Sequence, residues 1–199
     1  MTKRTTRASW RFRAGAKPGR RRSPTASIAI LLSLALQSAQ AQTQTASEYQ
    51  IKAAFLYNFV KFVEWPPGAT AKSVRVCVIG NDPIGDEVDA LAGKPIGDRV
   101  IEVKNIQSPA NVSSCQVLFV AASEAPNLKS ILTAARGAAV LTVGDTRGFA
   151  EHGVVINFYM DSRNVRFEIN VGAAKREGLT ISSQLLKLAR IVTDQGDAL

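Results

Sequence analysis

Residues 74–79 read Val-Arg-Val-Cys-Val-Ile and run directly into Gly80-Asn81-Asp82-Pro83. A continuous β-branched run of this length, broken once by an arginine and closed by a turn cluster, marks a strand buried on both faces. Working outward, the same punctuation repeats. Ile84 to Leu91 can form a short helix, Gly93 to Gly97 is a loop, and Val100 to Val103 makes a second strand with Glu102 turned outward. Val117 to Ala121 is a third, wholly apolar strand, Ser123 is placed to cap a helix through Thr133, and Ala139 to Val143 is a fourth strand closed by Gly144-Asp145. This strand, helix, strand rhythm predicts parallel crossover units in a sheet covered on both faces.

The flanks read differently. Glu48 to Glu64 contains no Gly or Pro, and Ile51, Phe55, Phe59 and Phe62 recur at helical spacing, with Leu56, Val60 and Val63 widening the stripe. Pro66-Pro67-Gly68 ends it, because proline removes a donor and disfavours helix in the preceding residue. Downstream, Val154 to Met160 and Val165 to Ile169 flank Asp161-Ser162-Arg163-Asn164 and read as an antiparallel hairpin. Val165, Phe167 and Ile169 point one way and Arg166, Glu168 and Asn170 the other, the pattern of a half-exposed edge. A final helix from Ser182-Ser183 would place Leu185, Leu186, Ala189 and Val192 on one stripe, with Lys187 and Arg190 outside. The fold expected is therefore α/β, a three-layer sandwich with a mostly parallel central sheet and an antiparallel C-terminal hairpin, formed by one domain over residues 48–199.

The formal charge of +9 suggests a nucleic-acid binder until its location is considered. Residues 1–41 hold nine basic side chains and no acidic one, so the 25 basic residues reduce to 16 beyond Ala41, balancing the 16 acidic ones. The body is neutral, and no nucleic-acid partner is expected. The first 41 residues have the parts of a secretory signal: a basic segment ending at Arg22, an apolar run from Ala26 to Leu36, and Ala39-Gln40-Ala41 as a cleavage site. The run is far shorter than the roughly 20 residues that span a bilayer. The expectation is periplasmic localisation with no membrane insertion after cleavage, and a polar lead-in over 42–47. Two cysteines, Cys77 and Cys115, suit an oxidising compartment. Pairing is the economical reading, and two separate buried thiols are the alternative.

Catalytic chemistry finds little material. His152 is the sole histidine, so a thiol dyad would need it beside Cys77 or Cys115, both on or near apolar strands where thiols are inert. Nitrogen and sulfur ligands are too few for a metal site. Gly80-x-x-x-x-Gly85 follows a strand and precedes a helix, yet lacks both the Gly-x-Gly-x-x-Gly spacing and a following Lys-Ser/Thr. No catalytic residue, metal or cofactor is expected. Contact residues are easier to nominate. Phe55, Phe59 and Phe62 suit packing on the sheet, whereas Tyr57 and Trp65 are amphipathic and can anchor a partner. Arg166 and Glu168, facing away from the core, are candidates for partner contact on the hairpin edge, with solvated edge protection as the plainer reading.

Several stretches together carry a resemblance. Ile51-Lys-Ala-Ala-Phe-Leu-Tyr-Asn-Phe-Val-Lys-Phe-Val-Glu-Trp-Pro66, Cys77-Val-Ile-Gly80, Val140-Leu-Thr-Val-Gly-Asp145, Ile156-Asn-Phe158, Val165-Arg-Phe-Glu-Ile-Asn170 and Ser182-Ser-Gln-Leu-Leu-Lys-Leu-Ala-Arg190 resemble the YfiR family of periplasmic proteins, HmsC-like members included, over essentially all of residues 48–193. The resemblance implies a soluble repressor that binds the periplasmic sensory region of an inner-membrane diguanylate cyclase and keeps it inactive. It also implies an outer-membrane lipoprotein that draws the repressor away, a tendency to homodimerise, and a redox-linked cysteine pair whose positions Cys77 and Cys115 match. A periplasmic small-ligand-binding module without a cyclase partner is the alternative.

Overall fold

The computed structural model describes residues 48–69 and 72–194. The expected signal segment 1–41 and lead-in 42–47 lie outside the described residues. Helix α1 covers 48–62. Its buried stripe is Lys52, Ala53, Leu56, Phe59 and Val60, continued by Val63 just past its end, with Phe55 and Phe62 half-buried and Ile51 exposed. The stripe is rotated about one residue from the expected one, because the flanking positions Leu56 and Val60 form its centre. The helix stops two residues early: Val63–Glu64 forms strand β1, paired with a later strand, β9 (Thr180–Ile181), which the sequence did not suggest.

Strands β2 (Ser73–Ile79), β4 (Arg99–Ile106), β5 (Val117–Val120) and β6 (Leu141–Gly144) are the four apolar runs. Helix α2 (Ile84–Asp89) follows β2. The expected loop at 93–97 contains a two-residue strand, β3 (Pro95–Ile96), which folds back antiparallel on β4. Ser123 does not cap a helix; residues Ala122–Asn127 form a 3-10 turn ahead of α3 (Leu128–Ala135). The Ser123 hydroxyl instead accepts a hydrogen bond from the Asn81 N–H at 2.9 Å. A second 3-10 turn at Pro109–Ser114 leads into β5.

The hairpin is formed by β7 (Ile156–Asp161) and β8 (Asn164–Asn170). Asn170 then caps an unforeseen helix, α4 (Val171–Arg176), by accepting from the Ala173 N–H at 2.8 Å. Helix α5 is only Ser183–Leu186. The expected continuation to Val192 is replaced by strand β10 (Arg190–Val192), parallel to β8. The eight-stranded sheet has the order β10-β8-β7-β6-β5-β2-β4-β3, and only its β7–β8 and β3–β4 pairs are antiparallel. The expectation of an α/β fold with a mostly parallel sheet and an antiparallel hairpin holds. The half-exposed edge does not: β10 covers part of β8, so Glu168 and Asn170 are 2% and 0% exposed.

Alternate residues of the central strands feed two cores. Val76, Val78, Val117, Phe119, Leu141 and Val143 join Leu56 and Phe59 of α1 in one. Cys77, Ile79, Leu118 and Val120 join Leu128 and Ile131 of α3 in the other. Burying a large apolar side chain on either face is worth about 1.5–3 kcal/mol. Phe55 and Phe59 lie against Phe158 and Phe167 with ring centroids 5.2–6.0 Å apart, so α1 is fixed to the hairpin by aromatic contact.

Candidate functional site

Cys77 and Cys115, 38 positions apart in sequence, are joined in a disulfide with Cα atoms 5.9 Å apart. Cys77 lies in β2 and Cys115 follows the 3-10 turn before β5; both are at most 1% exposed, among the apolar side chains that support α3. The bridge therefore ties the central strand to the segment entering its neighbour. His152 lies far from a thiol role: it is exposed and its Nδ1 is 2.6 Å from the Gly148 carbonyl oxygen.

At the carboxyl end of the sheet, where open parallel folds bind ligands, the chain has placed ion pairs. Lys52 is 5% exposed, and its Nζ lies 2.6 Å from Glu48 Oε1 and 2.9 Å from Asp145 Oδ2. Burial opposes its charge, but hydrogen bonds to Glu48 and Asp145 outweigh burial and hold the ammonium above its ordinary range. Burial also pushes the Asp82 carboxyl up, aided by the negative charges of Asp145 and Glu48 and opposed by the Ile84 N–H donated to it. Gly80, at φ +91°, shows why the loop needs glycine. A Cβ there would lie 2.6 Å from Ser123 Oγ and 2.9 Å from Ala121 Cβ. The two glycine positions at 80 and 85 are accounted for at the first by this close approach of the loop after β5. Lys52 was not singled out in the sequence, although its position four residues before Leu56 and seven before Phe59 puts it on the buried stripe.

Tyr57 and Trp65 are brought to one groove region at the end of α1. A groove of about 520 Å³ is lined by Val60, Lys61, Val63, Glu64, Trp65, Ile96, Gly97 and Arg99. Tyr57 donates its hydroxyl to the Pro95 carbonyl at 2.7 Å and carries Lys61 Nζ 4.2 Å from its ring centroid. Trp65 is half-buried, and its Nε1–H is shielded from water without a partner. A buried donor left unmade costs about 1–3 kcal/mol. Lys61 and Arg99 were missed because their significance depends on β3 returning to α1, a contact no local pattern encodes.

Arg166 and Glu168 are not part of this groove. Phe167, between them, packs on α1, so their side chains leave β8 on the other face. Arg166 is exposed, as expected. Glu168 is not: Arg190 binds it through Nε at 3.0 Å and through Nη2, and Asn157 Nδ2 donates to it at 3.1 Å. Its carboxylate is used internally to hold β10, which corrects the outward placement read from strand alternation. Beyond it Asp194 accepts from Asn170 Nδ2 at 2.6 Å and pairs with Arg176 at 2.5 Å.

A family profile described as YfiR/HmsC-like matches residues 49–190, which include all but the first residue of α1, the disulfide, the hairpin and the first residue of β10. The chain belongs to the YfiR/HmsC-like family. Among curated proteins no match is found. Solved structures similar to this chain include a conserved domain protein from Vibrio cholerae, 14% identical over 73% of this chain and 60% of that one, with a TM-score of 0.49. The ABC domain of a Streptococcus pneumoniae protein in complex with L-Trp is 10% identical over 60% of this chain and 55% of the other, with a TM-score of 0.44. A ligand-free, open substrate-binding protein with adhesive properties from Clostridium difficile is 13% identical over 63% and 56%, with a TM-score of 0.46. The chain thus spans little more than half the length of these structures.

Proposed function

We propose that this YfiR/HmsC-like chain is a periplasmic regulator that acts by binding another protein and not by catalysis. It holds an inner-membrane diguanylate cyclase inactive through the cyclase's periplasmic sensory region, and thereby limits cyclic di-GMP and biofilm formation. Family membership over residues 49–190 is the observation that carries this reading. The buried Cys77–Cys115 bridge agrees with folding in an oxidising compartment, and the excess positive charge lies entirely within residues 1–41. Among the described residues no helix is long and apolar enough to cross a membrane. In the proposed circuit the repressor is a homodimer, and an outer-membrane lipoprotein releases the cyclase by drawing the repressor away.

Repression of this kind is a population shift. A repressor that binds the inactive cyclase about a hundredfold better than the active one moves an even equilibrium to about 99% inactive when saturating. The test is co-purification of the full chain with the detergent-solubilised diguanylate cyclase of the same genome neighbourhood, followed by cyclic di-GMP measurement with and without the chain. A stable complex with reduced product is expected. A cyclase that neither retains the chain nor changes its output in its presence ends the reading.

A further inference from the structure

The eight-stranded sheet ends in two edges of different make. At one, β3 carries Pro95, which has no N–H, between the exposed Lys94 and the turn that holds the exposed Asp98. Proline and charge are the usual guards of a free edge. The other edge is β10, where proline is absent and the one charged side chain, Arg190, is turned back over the Tyr159 ring and bound to Glu168. Leu188 and Ile191 stand beside it, 70% and 51% exposed, the two most exposed large apolar side chains among the described residues. Alternation fixes which backbone groups of β10 are free. The Asn170 N–H donates to the Val155 carbonyl, toward β7, so the neighbouring Ile169 presents its N–H and C=O to β10. In a parallel pair with Ile169 opposite Ile191, those two groups bond to the residues on either side of Ile191, namely Arg190 and Val192. The N–H and C=O of Ile191 therefore point away from β8, and no group among the described residues takes them.

We propose that two copies of this chain join through β10, pairing it antiparallel with β10 of the second copy about a two-fold axis at Ile191. The proposal rests on the homodimer of the proposed circuit and supplies where and how the copies meet. At a two-fold axis a residue faces itself, so Ile191 of each copy donates its N–H to the Ile191 carbonyl of the other, and the two side chains cover one another. Val192 lies opposite the Arg190 stem of the other copy. Like charges do not meet across the axis, because each guanidinium stays on its own Glu168. An edge without free charge has nothing to select a charged partner, whereas the two-fold matches its exposed apolar residue to an identical one. A three-residue ladder is small beside the roughly 800 Å² per partner of a standard interface, so the association is reversible and depends on concentration.

Sedimentation equilibrium of the full chain over a wide concentration range reads the association. Ile191→Pro removes the outward N–H and leaves the ladder to β8 intact, a place where an edge strand tolerates proline. The expected result is a monomer–dimer equilibrium in the parent and a Kd raised at least about tenfold in Ile191→Pro, the loss of two net hydrogen bonds. Ile191→Lys, which keeps the backbone but sets like charges face to face, replaces that variant should its melting curve show misfolding. Ile191→Cys provides the second readout. Opposed Cα atoms in a hydrogen-bonded antiparallel pair are about 5.5 Å apart, inside the roughly 4.4–6.8 Å that a disulfide spans. It should give a covalent dimer on a non-reducing gel, whereas Val100→Cys, on β4 and 46% exposed in the parent, should not. Cys77 and Cys115 are buried and already joined. A dimer that persists in Ile191→Pro, or that cross-links equally through Val100→Cys, overturns the β10 interface and leaves the homodimer standing. A monomer at every concentration overturns both. A monomer that dimerises only once residues 195–199 are removed assigns the edge to the chain's own C-terminus and overturns the proposal as well. Because no cyclase is present, each of these failures leaves the cyclase co-purification to stand or fall separately.

Discussion

Replacing Arg190 by methionine tests the element in which the structure departs furthest from the sequence reading. Glu168 is 2% exposed and, among the described residues, receives hydrogen bonds from Arg190 and Asn157. Methionine keeps an unbranched stem beside the Tyr159 ring, where the guanidinium now sits 4.3 Å from the centroid, but removes both charged donors. Breaking a fully buried ion pair by deleting one partner costs about 3–5 kcal/mol. Here the Arg190 side chain is 56% exposed, so water reaches its side of the pair and the expected loss is smaller, about 2 kcal/mol. For a domain of this size that is a fall in Tm of about 4–8 °C. Urea unfolding of the parent, Arg190→Met, Glu168→Gln and the double variant measures the coupling, and the double variant should regain at least about 1 kcal/mol over the sum of the singles. An Arg190→Met loss below about 0.5 kcal/mol, or strict additivity, would refute the docking of β10 on Glu168. Either result would return residues 183–192 to a continuous surface helix with Arg190 in solvent.

Reducing the Cys77–Cys115 bridge should lower stability by about 4 kcal/mol from the entropy of the closed loop, seen calorimetrically as a Tm lower by about 8–16 °C. A fall under 3 °C would contradict that value, and if reduction leaves cyclase repression intact the bridge is structural alone. Burial raises the Asp82 carboxyl pKa, so its ionisation penalises folding as pH rises above the unfolded value of about 3.9; Asp82→Asn should match or exceed the parent in stability at pH 7, with the difference vanishing below about pH 4 in melting curves. Asp194 has the opposite sign, its carboxylate held low by the Arg176 hydrogen bond. Its contribution is present above about pH 3.9 and lost as pH falls through the folded value, so Asp194→Asn should flatten the acid limb of the stability curve. Gly80→Ala should cost about 1–3 kcal/mol in chemical denaturation, because positive φ and contact with Ala121 Cβ coincide there.

The runs at 74–79, 117–121 and 139–143 could be assigned as strands from their own composition, because a strand buried on both faces is apolar at nearly every position and only a few residue types are. The hairpin and α1 were legible for the same local reason, through alternation and helical spacing, and pairing was the economical reading of the two cysteines, with two separate thiols as the alternative that the bridge excludes. The site residues divide along that line. Tyr57 and Trp65 could be nominated from their amphipathic chemistry, but that they approach one groove with Lys61 and Arg99 depends on β3 turning back, and Pro95-Ile96 carries no strand signal.

Glu168 shows the limit most sharply. Alternation along Val165 to Asn170 correctly separates its two faces, and solvent is the default partner for the polar one. That default fails because Arg190 arrives from 22 residues away. The apolar stripe of Leu185, Leu186, Ala189 and Val192 fits a helix in isolation, where only local hydrogen bonds compete. In the folded chain the free edge of β8 offers backbone partners, and a buried carboxylate offers Arg190 a charge. Sequence alone determined which segments must be buried and which compartment the cysteines suit. Tertiary structure decided which polar groups go inside with them, because a buried charge is tolerable only when a distant residue arrives to pair with it.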